Sequence, residues 1–120
     1  MALPINRPGN EIAVQCVTAD ISAAGSAFTV SPVKGRLVRA YSVLGGAITA
    51  ADCTWTMEID GVAVTGTVTV ANASSAAGDI DSIDFSGDVR VNEGSSVEFI
   101  SGGESSTTAT AQYTAVIRVG

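Results

Sequence analysis

The sequence predicts an all-β protein, built as an antiparallel sandwich or barrel of eight or nine short strands. Val, Thr, Ser, Ala and Gly dominate the composition, while Leu, Lys and Gln are scarce, a bias that favours strands and tight turns over helices. Apolar and polar residues alternate in short runs, and turn residues separate the runs at the spacing of a sandwich or barrel. At 120 residues the chain has the length of one domain.

A β-hairpin is the most specific local prediction. Alternation runs up to Asp60-Gly61 and resumes beyond it in matching register, and Asp-Gly between two such runs is typical of a two-residue type I′ turn. One face of this hairpin is apolar and the other is polar or small, so the register is well specified. The expected opposing pairs are Ile59 with Val62, Met57 with Val64, Trp55 with Gly66, and Cys53 with Val68.

Further strands are expected on both sides of the hairpin, with Phe28 and Val30 pointing inward on the second strand. The expected strands besides the hairpin comprise residues 11–18, 26–30, 35–44, 79–85, 89–91, 97–101 and 109–119. We therefore expect residues 1–10 to form an extended N-terminal arm and residues 11–120 to form a single domain.

The strand over residues 35–44 is apolar on both faces. Leu37, Tyr41 and Val43 share one face with Arg39, while Val38 and its alternating neighbours form the other. Such a strand is either central to a sandwich or covered by a neighbouring subunit. We favour the second interpretation because it gives Arg39 a place at an interface.

The N-terminal arm is the strongest candidate for a functional element. Pro4, Pro8 and Gly9 exclude a helix and argue against a central strand. Leu3 and Ile5 are apolar residues without an evident partner strand, and a proline-rich arm loses little entropy on docking. A disordered terminus is the alternative. The first ten residues lack the apolar core of a secretory signal, so we expect synthesis in the cytoplasm.

Composition excludes several partners and chemistries. The net charge is −6 with six basic residues, which disfavours both nucleic acid and anionic membranes as partners. No apolar run is long enough to span a bilayer. The chain has no His, which removes the usual nucleophile–base arrangements. We therefore expect no catalytic residues, no enzyme activity and no cofactor.

Metal sites are not expected either. Cys16 and Cys53 stand apart, without the close spacing or the His partners of a zinc site; we expect reduced, buried thiols, with a disulfide open if their strands are neighbours. The sequence contains one acidic cluster, which consists of Asp79, Asp81, Asp84, Asp88 and Glu93. It has oxygen ligands suited to Ca²⁺, but a solvated acidic edge that discourages aggregation is the preferred interpretation.

Residues 31–85 and 91–119 resemble small β proteins encoded by tailed bacteriophages. The resemblance lies in the GGAIT turn at residues 45–49, the EIDG hairpin at 58–61, the SSAAGD loop at 74–79 and the closing strands of the chain. Such proteins are similar to capsid decoration (cement) proteins, and some to head fibres or tail components. The resemblance implies an antiparallel, jelly-roll-like β-sandwich that forms a homotrimer on the surface of a virion.

A decoration role would make this chain a non-enzymatic structural protein that binds the major capsid protein at capsomer junctions. The expected contacts with the capsid or a neighbouring subunit are Leu3, Pro4, Ile5 and Arg7 of the arm with Arg36 and Arg39 of the strand. The alternative is a head-fibre, tail, receptor-binding or carbohydrate-binding module, which exposure of Trp55 or Tyr113 beside the acidic cluster would favour.

Overall fold

Nine strands, and no helix, run through residues 10–119, the part of the chain that the structure describes. The structure is a computed structural model. The strands are β1 (Glu11–Thr18), β2 (Gly25–Val30), β3 (Gly35–Leu44), β4 (Cys53–Ile59), β5 (Val62–Val70), β6 (Ile80–Asp84), β7 (Arg90–Val91), β8 (Ser96–Ser101) and β9 (Ala111–Val119). Within these residues no helix is long and apolar enough to cross a membrane.

The strands form two antiparallel sheets that face each other. The five-stranded sheet has the order β1-β9-β3-β6, and the short β7 also pairs with β3. The four-stranded sheet has the order β2-β8-β4-β5. With β7 set aside, these orders are those of a jelly roll, in which each sheet draws alternately from both halves of the chain. The predicted all-β sandwich is therefore confirmed.

The predicted hairpin is confirmed near its turn and wrong beyond it. Asp60 and Gly61 have φ angles of 52° and 79°, as a type I′ turn requires, and the two pairs next to the turn are as expected. Trp55 then lies opposite Val68 rather than Gly66. The register shifts by two residues because β5 bulges at Gly66. Cys53 consequently pairs with Val70, not with Val68 as expected.

A second bulge changes which side chains of β3 face the core. The pairing with β9 shifts between Leu37 and Arg39, which leaves Val38 as the extra residue. Leu37 and Val38 are both buried, and the side chains beyond the bulge change faces relative to a regular strand. Arg39, Tyr41 and Val43 consequently point away from the core.

The core between the sheets is built around three aromatic rings. Trp55, Phe99 and Tyr113 are each at most 1% exposed. Phe99 and Tyr113 stack with centroids 4.6 Å apart, and Trp55 meets both edge-on. Edge-to-face and stacked contacts of this kind stabilise beyond the area that they bury. These three rings therefore form the centre of the core.

The prediction that Phe28 and Val30 point inward is wrong. These side chains are 61% and 53% exposed, whereas Ala27, which precedes Phe28, is 7% exposed and belongs to the core. β2 is the edge strand of its sheet, so a small alanine is enough to cover this margin of the core. Phe28 and Val30 instead form an apolar surface on the outside of the four-stranded sheet.

Candidate interaction surfaces

The outer face of the five-stranded sheet carries alternate side chains of β1, β9, β3, β6 and β7. Cross-strand pairing arranges these side chains in rows that run across the sheet. The first row, at what we name the charged end, consists of Glu11, Arg118, Arg36 and Arg90. The last row, at what we name the apolar end, consists of Val17, Gln112, Val43 and Ile80. The face therefore changes from charged to apolar along the strands.

Ion pairs organise the charged end around Glu11. Arg118 Nη2 lies 2.6 Å from Glu11 Oε2, and Arg39 Nη1 lies 3.6 Å from Glu11 Oε1. Hydrogen bonding by the Arg118 guanidinium is the main cause that holds the pKa of Glu11 below its usual value. Arg39 Nε also lies 3.5 Å from Asp84 Oδ1. Arg39 lies on the outer face, and two carboxylates of its own chain already neutralise its charge.

Arg36 differs from Arg39 in having no such partner. It pairs directly with Arg118 on one side and with Arg90 on the other, and it forms no ion pair with any residue between 10 and 119. Arg90 is held by Asp88, with Nε 2.9 Å from Oδ1. Three guanidinium groups thus stand side by side, and the middle one is available to a carboxylate of another molecule.

The apolar end exposes aliphatic side chains. Val17 is 64% exposed and Ile80 is 65% exposed, and the half-buried Val43 lies between them, opposite both Ile80 and Gln112. Tyr41 lies one row closer to the charged end. Aliphatic side chains gathered on one sheet face are typical of a surface that a partner covers.

Of the six residues predicted to make contacts, two lie within the described part of the chain and four lie outside it. Arg36 and Arg39 lie on the same outer face, on either side of the bulge at Val38. Predicted contacts in the arm, namely Leu3, Pro4, Ile5 and Arg7, lie outside the described residues. The structure therefore locates the two strand arginines and adds the apolar end, which the sequence did not single out.

A cleft opens between β5 and the segment that joins β6 to β7. This edge cleft has a volume of about 690 Å³ and is lined by residues 59–65 and 84–90, Gly61 excepted. Val62, which is 69% exposed, and Phe85 provide apolar surface, while three carboxylates and one guanidinium provide charge. Its size falls within the range of about 300–1,000 Å³ that is usual for binding clefts. No sequence pattern predicts this cleft, because its two walls belong to opposite sheets.

The outside of the four-stranded sheet combines apolar and acidic residues. Phe28 of β2 pairs with Glu98 of β8, and Glu98 pairs in turn with Glu58 of β4. Like charges directly opposite each other are unfavourable. This surface would therefore accept a basic group more readily than an acidic one.

The two aromatic side chains whose exposure would favour a sugar platform are buried. Trp55 and Tyr113 are both 1% exposed, and the Trp55 indole N–H is used inside the core, where it donates to Ser42 Oγ. The surface exposure that would have favoured a carbohydrate-binding module is absent at both of these positions.

The carboxylates of the acidic cluster point in different directions. Asp79 accepts a hydrogen bond from the Ala76 N–H at 2.9 Å, whereas Asp84 and Asp88 pair with different arginines. Burial, together with the charge of Asp79, raises the pKa of Asp81. Within residues 10–119, no three His, Cys, Asp or Glu side chains gather as a metal site.

Cys16 and Cys53 are free thiols on opposite sheets. Cys53 is buried as expected, while Cys16 is half-buried. Desolvation raises the pKa of each thiol to about 11. Both are therefore protonated and unreactive at neutral pH, because the thiolate is the reactive form.

No protein-family model and no curated protein matches the sequence. The fold is similar to several solved structures. A chain of the cyanophage Pam1 capsid asymmetric unit aligns with a TM-score of 0.54 at 16% identity, over 100% of this chain and 93% of that chain.

Two further similar structures come from carbohydrate-active proteins. CBM35 from Cellvibrio japonicus Abf62 aligns with a TM-score of 0.51 at 16% identity, over 82% of this chain and 73% of that chain. The catalytic unit of the GH87 alpha-1,3-glucanase from Streptomyces thermodiastaticus strain HF3-3 aligns with a TM-score of 0.52 at 13% identity. That match covers 92% of this chain, which spans about a quarter (26%) of the glucanase unit. At these identities the likeness shows the fold alone: this chain is an all-β sandwich of a kind found both in a viral capsid and in a carbohydrate-binding module.

Proposed function

We propose that this chain is a non-enzymatic structural protein of a phage virion, which binds the outside of the shell and stabilises it. Its partner would be the major capsid protein at capsomer junctions, and its own assembly a homotrimer. The outer face of the five-stranded sheet carries the proposal, because it offers an exposed apolar end and, at its charged end, an arginine that has no carboxylate partner in the described chain.

The likeness to a chain of a phage capsid supports this proposal, since it extends over the whole of this chain and nearly the whole of that one. The chemistry of the face agrees with such a role. Burial of Val17 and Ile80 against a shell would supply roughly 25 cal/mol for each Å² of apolar surface removed from water. A capsid carboxylate could pair with Arg36, which would fix the orientation of the bound protein.

Stabilisation of the shell follows from mass action. A protein that binds the assembled lattice and not its separate subunits shifts the equilibrium toward the lattice. This mechanism needs no catalytic group, in keeping with a sequence that has no His.

Co-sedimentation of the purified protein with intact shells tests the proposal. Ile80→Asp places a charge at the apolar end, and we expect it to abolish binding. Val30→Asp is the matched control, because Val30 is 53% exposed on the opposite sheet; it should bind like the unmodified chain. Deletion of residues 1–9 should leave the fold intact and remove binding as well. Equal binding by the two aspartate variants would contradict the role of this face.

A head-fibre, tail or receptor module that binds carbohydrate is the second candidate. The fold likeness to CBM35 favours it, and the burial of Trp55 and Tyr113 counts against it. Binding of the pure protein to a glycan array, combined with indifference to shells, would favour this candidate over the first.

A further inference from the structure

The free edge of β5 borders the edge cleft. Asp60 N–H donates to Ser96 O of β8 at 3.0 Å, so the preceding residue, Ile59, directs its backbone groups to β5. Val62 pairs with Ile59, and alternation along β5 then turns the N–H and C=O of Ala63 and Thr65 away from β4. β5 is the last strand of its sheet in the described chain, which leaves these groups available to an added strand.

This edge lacks the usual protection against added strands. Edge strands are commonly guarded by charged residues or prolines, and the sequence VAVTGTVTV of β5 has neither. The bulge at Gly66 interrupts the edge, but the pairing with β4 is regular over Val62, Ala63 and Val64, which line the cleft. An unguarded edge beside a cleft of mixed apolar and charged lining suits an extended segment that pairs through its backbone.

We propose that the free edge of β5 receives residues 3–7 of the N-terminal arm of a second copy as an added strand. Alternate residues of an extended segment direct their N–H groups to opposite edges. Pro4 and Pro8 are an even number of positions apart, so their missing N–H groups fall on the same edge. Leu3, Ile5 and Arg7 keep their donors on the other edge, and the segment can pair through that edge alone.

Charge complementarity supports this occupant. The carboxylates of Asp60, Asp84 and Asp88 line the cleft together with one guanidinium, that of Arg90. Arg7 is the one charged side chain among residues 1–10. An added strand that carries Arg7 therefore brings positive charge to a cleft with an excess of negative charge.

The faces of β5 determine the direction of the added strand. Val62 and Val64 line the cleft. In a parallel pair, Ile5 would bond to Ala63 and Thr65 and lie beside Val64, which turns its side chain into the cleft. An antiparallel strand would instead turn the prolines into the cleft. Parallel addition thus both satisfies the backbone and buries the apolar side chains of the arm.

The length of the arm indicates a second copy rather than the same chain. One row of the five-stranded sheet runs from Glu11 through two intervening strands to Arg90 at the rim of the cleft, a distance of about 14 Å for three strand spacings. The four residues from Glu11 back to Arg7 span at most about 14 Å. A chain's own Arg7 can reach the rim but cannot lie along β5.

Head-to-tail exchange of arms closes into a ring when the rotation between copies permits it. Exchange between three copies would produce the homotrimer of the proposed function. The inference concerns the free protein, however, and needs no shell, so either idea can fail while the other holds.

Sedimentation of the full chain and of proline variants tests the pairing edge. We expect the unmodified chain to sediment as an oligomer. Ile5→Pro removes an N–H donor from the pairing edge and should convert the oligomer to monomer. Asn6→Pro removes a donor from the opposite edge, where the N–H groups of Pro4 and Pro8 are already missing, and should leave the oligomer intact. Ile5→Ala controls for loss of the side chain and should weaken the oligomer less than Ile5→Pro does.

A disulfide trap tests the identity of the occupant. In the proposed register Leu3 lies beside Val62. Chains carrying Leu3→Cys alone are mixed with chains carrying Val62→Cys alone and oxidised, and we expect a covalent heterodimer on a non-reducing gel. The inference would be overturned if the unmodified chain is a monomer or if its oligomer survives Ile5→Pro. It would also be overturned if Asn6→Pro dissociates the oligomer as fully as Ile5→Pro does. In the disulfide trap, the contradicting result is no more heterodimer than the exposed control Thr69→Cys forms.

Discussion

Trp55 donates a hydrogen bond to Ser42 across the core, with Nε1 3.0 Å from Oγ. Trp55 belongs to β4 and Ser42 to β3, so the bond joins the two sheets. Both residues are 1% exposed. A buried donor must find a partner in the folded state, because the cost of leaving it unmade exceeds the net gain of an ordinary hydrogen bond. This contact therefore links the two sheets by a specific polar interaction inside the apolar core.

Replacement of Ser42 by alanine should destabilise the protein. Ser42→Ala leaves the Trp55 indole N–H buried without an acceptor, which we expect to lower the free energy of unfolding by about 1–3 kcal/mol. Urea unfolding followed by the fluorescence of Trp55, the single tryptophan, measures the change. Ser82→Ala on the exposed side of β6 is the control and should be close to neutral. Equal effects of the two variants would contradict a structural role for the hydrogen bond.

Removal of the Tyr113 hydroxyl should stabilise the protein, whereas removal of the Ser42 hydroxyl should destabilise it. Its side chain lies directly across from Ser42, and its hydroxyl is buried without a hydrogen-bond partner in the described part of the chain. Tyr113→Phe removes this hydroxyl and keeps the ring stacked on Phe99, so we expect the free energy of unfolding to rise by about 1 kcal/mol. Thermal unfolding compares it with Tyr41→Phe on the outer face, which should leave the stability unchanged. A loss of stability in Tyr113→Phe would mean that the hydroxyl has a favourable partner.

Gly66 of β5 should tolerate substitution poorly. Its φ of +131° is unfavourable for other residues, and an added Cβ would lie 2.6 Å from Ile83 Cδ1 of the opposite sheet. We expect Gly66→Ala to cost about 1–3 kcal/mol, and Gly25→Ala, which meets no atom within 4 Å, to cost much less.

A double-mutant cycle separates the two causes of the Gly66 effect. Ile83→Val removes Cδ1, so the double variant should be more stable than the sum of the single effects implies if the contact contributes. Strict additivity would assign the whole cost to the backbone conformation. No loss of stability in Gly66→Ala would contradict both.

Gly66 also separates what could be predicted about the hairpin from the sequence and what could not. The alternation around Asp60-Gly61 determines which residues face the core, and because the bulge adds an even number of residues, that part of the prediction remained correct. The partners of Trp55 and Cys53 were wrong, because β5 bulges at Gly66, where an added Cβ would lie 2.6 Å from Ile83 Cδ1 of the other sheet. Local pattern contains no information about such a contact.

In the candidate interaction surfaces, too, the sequence predicts which face a side chain lies on but not which residues it contacts. Arg39 was predicted at an interface because β3 is apolar on both faces, and the bulge at Val38 does turn it outward. Its two ion pairs, with Glu11 and Asp84, involve strands distant in sequence and could not be foreseen. The edge cleft was missed for the same reason. Alternation predicts faces, whereas charge partners and clefts depend on which strands become neighbours.

Asp81 should make stability depend on pH in an unusual direction. Burial raises the pKa of this carboxyl, and the charge of Asp79 raises it further. A raised pKa in the folded state means that the folded protein holds this proton more tightly than the unfolded chain does. The resulting stability is fully present below the pKa of the unfolded chain and is lost as the pH rises through the pKa of the folded state.

Asp81→Asn removes this dependence and should increase the free energy of unfolding at pH 7. The gain over the unmodified chain should shrink toward about pH 3, because Asp81 is then protonated in both the folded and the unfolded state. Urea unfolding at a series of pH values measures the difference between the two proteins. Glu93→Gln, an exposed carboxyl in the turn after β7, controls for the change in net charge and should give no such gain. Destabilisation of Asp81→Asn at pH 7 would mean that the ionised carboxylate is held by favourable contacts, which would reverse the sign of its effect on the fold.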